Sequence, residues 1–460
     1  MAIPGESIKD TSPAMPPSKP QLCDHLRFFV CPARFSPRVV LVYCYMFIGV
    51  LALLTYVMYL KHSMPTFLLG LLASTQDVIA LPQASPAPQG AAADPYKVYT
   101  ISAGNITAKF IPHGARLTSL LVPDRTGVPQ DVVVGFDDVT QYSNDDNFYG
   151  PVVGRYANRI KNGTFTIADN EYHVPTNEND GLNSLHGGEI GYDKRNWTVT
   201  TYTNSSITFS FYDHALQGFP GDVLTHATYT VDNDEDSGSP QLTTKLVSLA
   251  LTEATPTMLA NHIYWNLNGF RDPNVLDDVT LQLPLSTRFI ATDPILIPNG
   301  TISTVDAYGG APDFTSPKLV GQDIDSAVDL CGAGCTGYDN CWIIDRPTGY
   351  PSDALVPALH MSSQNTGITL DVSMNTPALQ IYSCNGQDGS DPVRPSQIKR
   401  ARDAGFNGPT TVDKNSCVVV EPEGWIDGIN QPAWGQTENQ IFTPGGLPAI
   451  NLAVYRFGTA

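Results

Sequence analysis

The sequence predicts an all-β body, a large antiparallel β-sandwich, preceded by an apolar N-terminal segment. Two observations predict the body. Short runs rich in β-branched and aromatic residues recur at fairly even spacing from residue 96 onward, with few long helical periods between them. The chain of 460 residues also holds 38 Gly, 37 Pro and 20 Tyr, a mixture suited to a turn-rich β protein. A third observation predicts the segment in front: residues 39–60 carry no charge at all.

That front region divides into three parts. Residues 1–38 form a polar, Pro-rich tail. Residues 39–60 (VVLVYCYMFIGVLALLTYVMYL) are long enough for a membrane-spanning helix, which needs about 20 apolar residues. Arg27, Arg34 and Arg38 precede the run and Lys61 follows it, which puts the tail in the cytoplasm and the body outside. Residues 61–95 hold a second signal: a short apolar stretch after Met64 with a cleavage-like site near Ala80, followed by the linker QASPAPQGAAAD. Anchor and cleaved leader both export the body, and the sequence does not choose between them. Five N-x-S/T sequons, at Asn105, Asn162, Asn196, Asn204 and Asn299, agree with export and glycosylation.

The body, residues 96–460, reads as one domain without internal repeats. Its strand-like runs include ITAKFI (106–111), RLTSLLV (116–122), SITFSFY (206–212), LTHATYTV (224–231), TTKLVSLALT (243–252), ITLDVSM (368–374), LQIYS (379–383), CVVVE (417–421) and NLAVYRF (451–457). The spacing predicts short helices over Val139–Asn144 and 322–328, and a solvated hairpin loop over 232–240. Five cysteines remain in the body, so an exported chain pairs some and leaves one free. Cys331, Cys335 and Cys341 share a short loop in which a small ring fits, and Cys384 and Cys417 each border a strand. The spacing matches no standard zinc pattern. A formal net charge of −19 repels phosphate backbones, which argues against nucleic-acid binding.

Five stretches carry residues suited to chemistry. Residues 183–197 (NSLHGGEIGYDKRNW) place His186 before two glycines, in a pattern that fits a loop entering a strand. GRYANRIKNGT (154–164) offers Asn158 and the forked donors of Arg159. NHIYWNLNG (261–269) sets His262 among strand-forming aromatics. GYDNCWIID (337–345) puts Asp339 at the mouth of a strand. VVVEPEGWIDGIN (418–430) ends an apolar strand on Glu421, a poorly solvated carboxyl whose pKa should tend upward, as suits a general base. Each has an ordinary structural reading as well: a turn, a surface ion pair, a core histidine or an Asx-turn.

Together, in type, order and approximate spacing, these stretches resemble the aldose 1-epimerase (galactose mutarotase) family over roughly residues 96–457. The resemblance implies a galactose mutarotase-like supersandwich and an isomerase that interconverts the α and β anomers of free hexoses or pentoses by acid–base ring opening. It implies no cofactor and no metal, and a free monosaccharide as the partner of a monomeric protein. Carried over residue by residue, it implies that Asn158, Arg159, His186 and Asp339 bind the sugar. His262 is then the general acid at the ring oxygen and Glu421 the general base. The chain departs from the family's pattern at Glu423, where Gln is frequent, and at Asn340, where His is frequent; its cysteine-rich loop also looks like an elaboration. Two other functions fit the same scaffold: a non-catalytic sugar-binding or sensor protein, and a polysaccharide-active enzyme. A hydrolase would want paired carboxylates; Glu421 and Glu423 are expected to face opposite sides of their strand and so to make a poor pair.

Overall fold

Three antiparallel sheets organise the protein, seen in a computed structural model that describes residues 93–460. The expectations for residues 1–38 and 39–60, and nearly all of 61–95, lie outside the described residues. Among the described residues, no helix is long and apolar enough to cross a membrane.

The largest sheet has nine strands. It runs from Thr198–Tyr202 through the long strands Ser206–His214, Asp222–Asn233, Pro240–Ala250 and Ala449–Thr459, then Ile368–Met374 and Val356–Ser363, to Val279–Gln282 and Lys318–Leu319. Asp222–Asn233 alternates buried and half-buried residues along its length, as period-two patterning requires of a strand with one covered face. It pairs with Pro240–Ala250 from Asn233↔Pro240 outward, so the acidic stretch between them is the expected hairpin loop. A four-stranded sheet, Tyr99–Ala103, Ile106–Ile111, Arg116–Pro123 and Pro129–Asp131, lies alongside, with the Phe110 ring 4.5 Å from that of Tyr229.

The six-stranded sheet carries the chemistry. Its order is Ile263–Trp265, Val418–Glu423, Ala378–Tyr382, Asp339–Ile343, Arg288–Thr292 and Pro298–Thr304. Alternation divides its residues cleanly. Trp265, Val418, Val420, Leu379, Ile381 and Trp342 join the main hydrophobic core, where Trp265 meets Tyr455 and Phe457 of the nine-stranded sheet. Tyr264, Val419, Glu421, Gln380, Tyr382, Cys341 and Asp339 hold the alternate positions and point the other way. One face of this sheet is therefore spent on stability, and the other is available for a site.

The expected short helix over Val139–Asn144 is a 3-10 helix capped by Asp138, whose side chain accepts from the Thr140 N–H. The short helix expected at 322–328 is a shorter 3-10 helix, Ile324–Ser326. One element was not expected: an α-helix over Pro395–Asp403. Its buried residues are Gln397 and Ala401, so it has no apolar stripe to betray it. Gln397 instead donates to the carbonyls of Asp131 and Val133. Cys331 pairs with Cys335 and Cys384 with Cys417, leaving Cys341 as a buried free thiol.

Candidate active site

Glu421 enters a pocket because register puts it there. Gln380 stands opposite it on the next strand, and Asp339 stands opposite Tyr382, so Glu421, Gln380, Tyr382 and Asp339 lie on one face of three adjacent strands. His262 sits just before the edge strand Ile263–Trp265. Its N–H donates to the Pro151 carbonyl and its own carbonyl accepts from the Gly150 N–H, which fixes the backbone on both sides.

The opposite wall comes from the two-stranded ribbon Arg159–Lys161 and Asn183–Leu185. Both chains turn sharply at its end: Asn158 has φ 57° and His186 φ 50°, in the left-handed region that non-glycine residues enter at a cost. The turns hold each other. His186 N–H donates to the Asn158 carbonyl, and Asn158 N–H donates to His186 Nδ1 at 3.1 Å. Gly187 follows because nothing larger fits: a Cβ there would lie 2.1 Å from the Gly154 carbonyl oxygen.

Phe148, Asn158, Arg159, Leu185, His186, His262, Tyr264, Asp339, Gln380, Tyr382 and Glu421 line a cavity of about 130 Å³. All six residues singled out from the sequence therefore converge on one pocket. His262 Nε2 lies 3.4 Å from Glu421 Oε1. The His186 ring centroid is 5.1 Å from that of His262, and Phe148 covers both imidazoles.

Burial sets the electrostatics. It drives His262 down to about 3 and His186 well below the ordinary imidazole value, with the His262 and Arg159 charges adding to the effect on His186. Burial likewise pushes Glu421 well above the carboxylate range, aided by Glu423 and Asp339 and opposed by Arg159. The short His262–Glu421 separation would suit an ion pair, yet both tendencies favour a neutral imidazole beside a protonated carboxyl. Desolvation decides for side chains this buried, and it favours the neutral form. Asp339, at the rim, is also raised by burial, and its Oδ1 accepts from Gln380 Nε2 at 2.6 Å.

Arg159 is held by Glu178, which accepts from its Nε and from Nη2 at 2.7 Å. Nη1 makes a longer bond, 3.3 Å, to Asn158 Oδ1. Gln380 Oε1 and His262 Nδ1 have no partner among the described residues. His186, His262 and Glu421 bring potential ligand atoms within 4.8 Å of one another, close enough to ask whether they hold a metal. His186 fits that use poorly. Its Nδ1 lone pair already accepts from Asn158 N–H, so the neutral ring carries its hydrogen on Nε2 and acts there as a donor.

The family model described as aldose 1-epimerase matches residues 97–445. The chain belongs to the aldose 1-epimerase family. The Arthroderma benhamiae protein named "Probable aldose 1-epimerase" is 51% identical over 390 residues, covering 81% of this chain and 88% of that one. The galactose mutarotase of Mus musculus is 32% identical over 335 residues, 73% of this chain and 87% of its own. Among solved structures, an aldose epimerase homologue from C. elegans superposes with a TM-score of 0.66 at 27% identity, over 79% of this chain and 99% of that one. The mutarotase fold is thus the fold of the described body.

For this aldose 1-epimerase, sequence reasoning missed Gln380, Phe148, Tyr264, Tyr382 and Leu185. The register of LQIYS against CVVVE would have found Gln380. It also misplaced Glu423. Alternate residues of an extended strand share a face, so Glu421 and Glu423 point the same way, not opposite ways. Glu423 lies behind the pocket, where its Oε1 accepts from Asn158 Nδ2 at 3.0 Å. Tyr338 is turned into the core, its hydroxyl donating to the Ala311 carbonyl, so of the Tyr338–Asp339 pair only Asp339 lines the pocket.

Proposed function

We propose that His262 and Glu421 interconvert sugar anomers by moving two protons about one anomeric carbon. The observation that carries this reading is the 3.4 Å approach of His262 Nε2 to Glu421 Oε1, two buried side chains lining one pocket. A hemiacetal ring opens when its O1–H gives up a proton while the ring oxygen gains one. Glu421 takes the first and His262 supplies the second. The C1–O5 bond breaks, O1 becomes a carbonyl oxygen, and the aldehyde rotates about C1–C2. On closure O5–H returns its proton to His262, and Glu421 protonates the new O1.

The pair holds one exchangeable proton throughout. Neutral imidazole beside protonated carboxyl, the form that burial favours, differs from imidazolium beside carboxylate only by transfer across that gap. The sugar hydroxyls supply hydrogen bonds that favour the charged form. His186 Nε2–H donates to a sugar oxygen. Asn158 and Arg159 on one wall, and Asp339 and Gln380 on the other, hold hydroxyls. No step needs a metal or redox group. General acid–base assistance of this kind is worth about 10²–10⁴-fold per group.

The names of the relatives support a free monosaccharide substrate over the sensor and polysaccharide readings. Polarimetry on freshly dissolved α-glucose, α-galactose and pentoses tests the activity. The relaxation of optical rotation should quicken in proportion to enzyme; a rate that never exceeds that of buffer, for any of these sugars, would overturn the reading.

We also propose that the body works outside the cytoplasm as a glycosylated monomer, anchored by residues 39–60 or released near residue 80. All five sequon asparagines are exposed, and four of the body's cysteines stand in disulfides. N-terminal sequencing of the mature protein, with a mass shift on deglycosylation, tests this. An unmodified chain beginning at Met1 and recovered from the cytosol would contradict it.

A further inference from the structure

Glu423 takes no part in the mechanism above, yet it bonds directly to Asn158 of the pocket wall. It is fully buried, two residues beyond Glu421 and on the same face of the strand. Oε1 accepts from Asn158 Nδ2, and Oε2 has no partner among the described residues. The groups that act on it come from three directions. Glu421 lies on its own strand. Asp339 and the Cys341 thiol come from Asp339–Ile343. Arg159 and Tyr156 come from the ribbon wall and the turn leading into it. The one cation among them, Arg159, is already bound by Glu178.

We propose that Glu423 is a positioning residue that competes with Glu421 for the single negative charge their shared strand tolerates, so that turnover proceeds while Glu423 keeps its proton and stops when it is lost. The inference rests on Glu421 being the base. Each carboxyl leaves its Oε2 without a partner among the described residues, but Glu423 Oε1 accepts from Asn158 Nδ2 at 3.0 Å whereas Glu421 Oε1 has only His262 Nε2 at 3.4 Å, so the anion settles on Glu423 first. Burial places that event late, with Glu423 pushed up to about 8. Once the proton has gone to solvent, a second anion on Glu421 is opposed by the first. Glu421 then stays protonated and cannot accept the O1 proton. Below that point, the neutral Glu423 carboxyl still anchors the Asn158 amide and so fixes one wall of the pocket.

The test compares the pH dependence of kcat and KM for the intact protein and for Glu423→Gln, Glu423→Ala and Glu421→Gln, by polarimetry. The intact enzyme should lose kcat as pH rises through about 8. In Glu423→Gln the alkaline limb should move up by about one pH unit or more, because an amide holds no competing charge. Glu423→Ala should raise KM by releasing Asn158, and Gln should restore it. An alkaline limb unchanged in Glu423→Gln, or a Gln variant that folds but is inactive at pH 6, would overturn the inference. A near-normal rate in Glu421→Gln would instead remove the reading on which it rests. Should the Gln variant not fold, an infrared titration of the intact protein decides. One neutral buried carboxyl must lose its proton over the same pH range as activity, so the band weakens while the share from Glu421 remains; activity lost while that band keeps its full intensity would overturn the inference equally.

Discussion

Gln380 stands directly opposite Glu421 across two adjacent strands, while its amide nitrogen donates to Asp339 one strand further on. The amide therefore spans the floor of the pocket and ties the proposed base to the carboxyl of Asp339, proposed to hold a sugar hydroxyl. Nothing along this line is a loop. The acidic side of the site is built on strand register, and the basic side, Arg159 and His186, on a ribbon whose two sharp turns brace each other.

Arg159 needs its fork. Glu178 engages Nε and Nη2 together, leaving the guanidinium plane fixed toward the pocket. Arg159→Lys keeps the charge and loses that geometry. KM for the preferred sugar should rise about tenfold, the cost of one hydrogen bond to a charged group, with a smaller change in kcat. Steady-state polarimetry separates the two.

Stability should fall with rising pH above the histidine range. Glu423 binds a proton in the folded state up to about pH 8, whereas the unfolded chain releases it near the ordinary carboxylate value. The folded state thus binds more protons across that interval, and its stability declines as pH climbs. His186 and His262 act in the opposite sense, being depressed in the fold, but their contribution is complete once pH exceeds about 6.5. Between pH 6.5 and 8.5 the buried carboxyls, joined by His360, whose pKa its bond to Asp371 raises, all lower stability as pH climbs, and the melting temperature should drop. Calorimetry on Glu423→Gln should give a flatter curve over that range; an identical slope would contradict the assignment.

The two disulfides should differ in worth. Cys384–Cys417 closes a segment with a sequence separation of 33 and joins the strands that carry Gln380 and Glu421. Chain-entropy reasoning gives it about 3–4 kcal/mol, against about 2 kcal/mol for Cys331–Cys335, separated by only 4. Replacing each pair by alanines and measuring denaturant midpoints should rank them in that order.

Much of this was legible in the sequence, for reasons that differ by residue. His186 announced itself through the two glycines after it, the first of which the close pass of the Gly154 carbonyl demands. Glu421 was visible as a charge ending an apolar run. Gln380, Tyr264 and Tyr382 sit in strands whose other residues are ordinary core, so only the pairing register marks them out. The strand Pro298–Thr304 reads as a loop because it contains Pro, Asn and Gly; it survives as an edge, mostly exposed and paired on one side. Glu178 could not be matched to Arg159 without knowing that the ribbon folds back over itself. The relation of Glu421 to Glu423 was readable from period-two alternation and was read the wrong way round.

The central claim is that His262 and Glu421 act as one unit on one anomeric carbon, and a double-variant cycle measures it most directly. Anomer exchange should be followed for Glu421→Gln, His262→Asn and the two combined, each checked for an intact fold. Either single change should lower kcat by about 10²–10⁴-fold, and the combination should be hardly worse than the more damaging single change, as for groups that share a proton. Losses that multiply, or a near-normal rate in either single variant, would contradict the account.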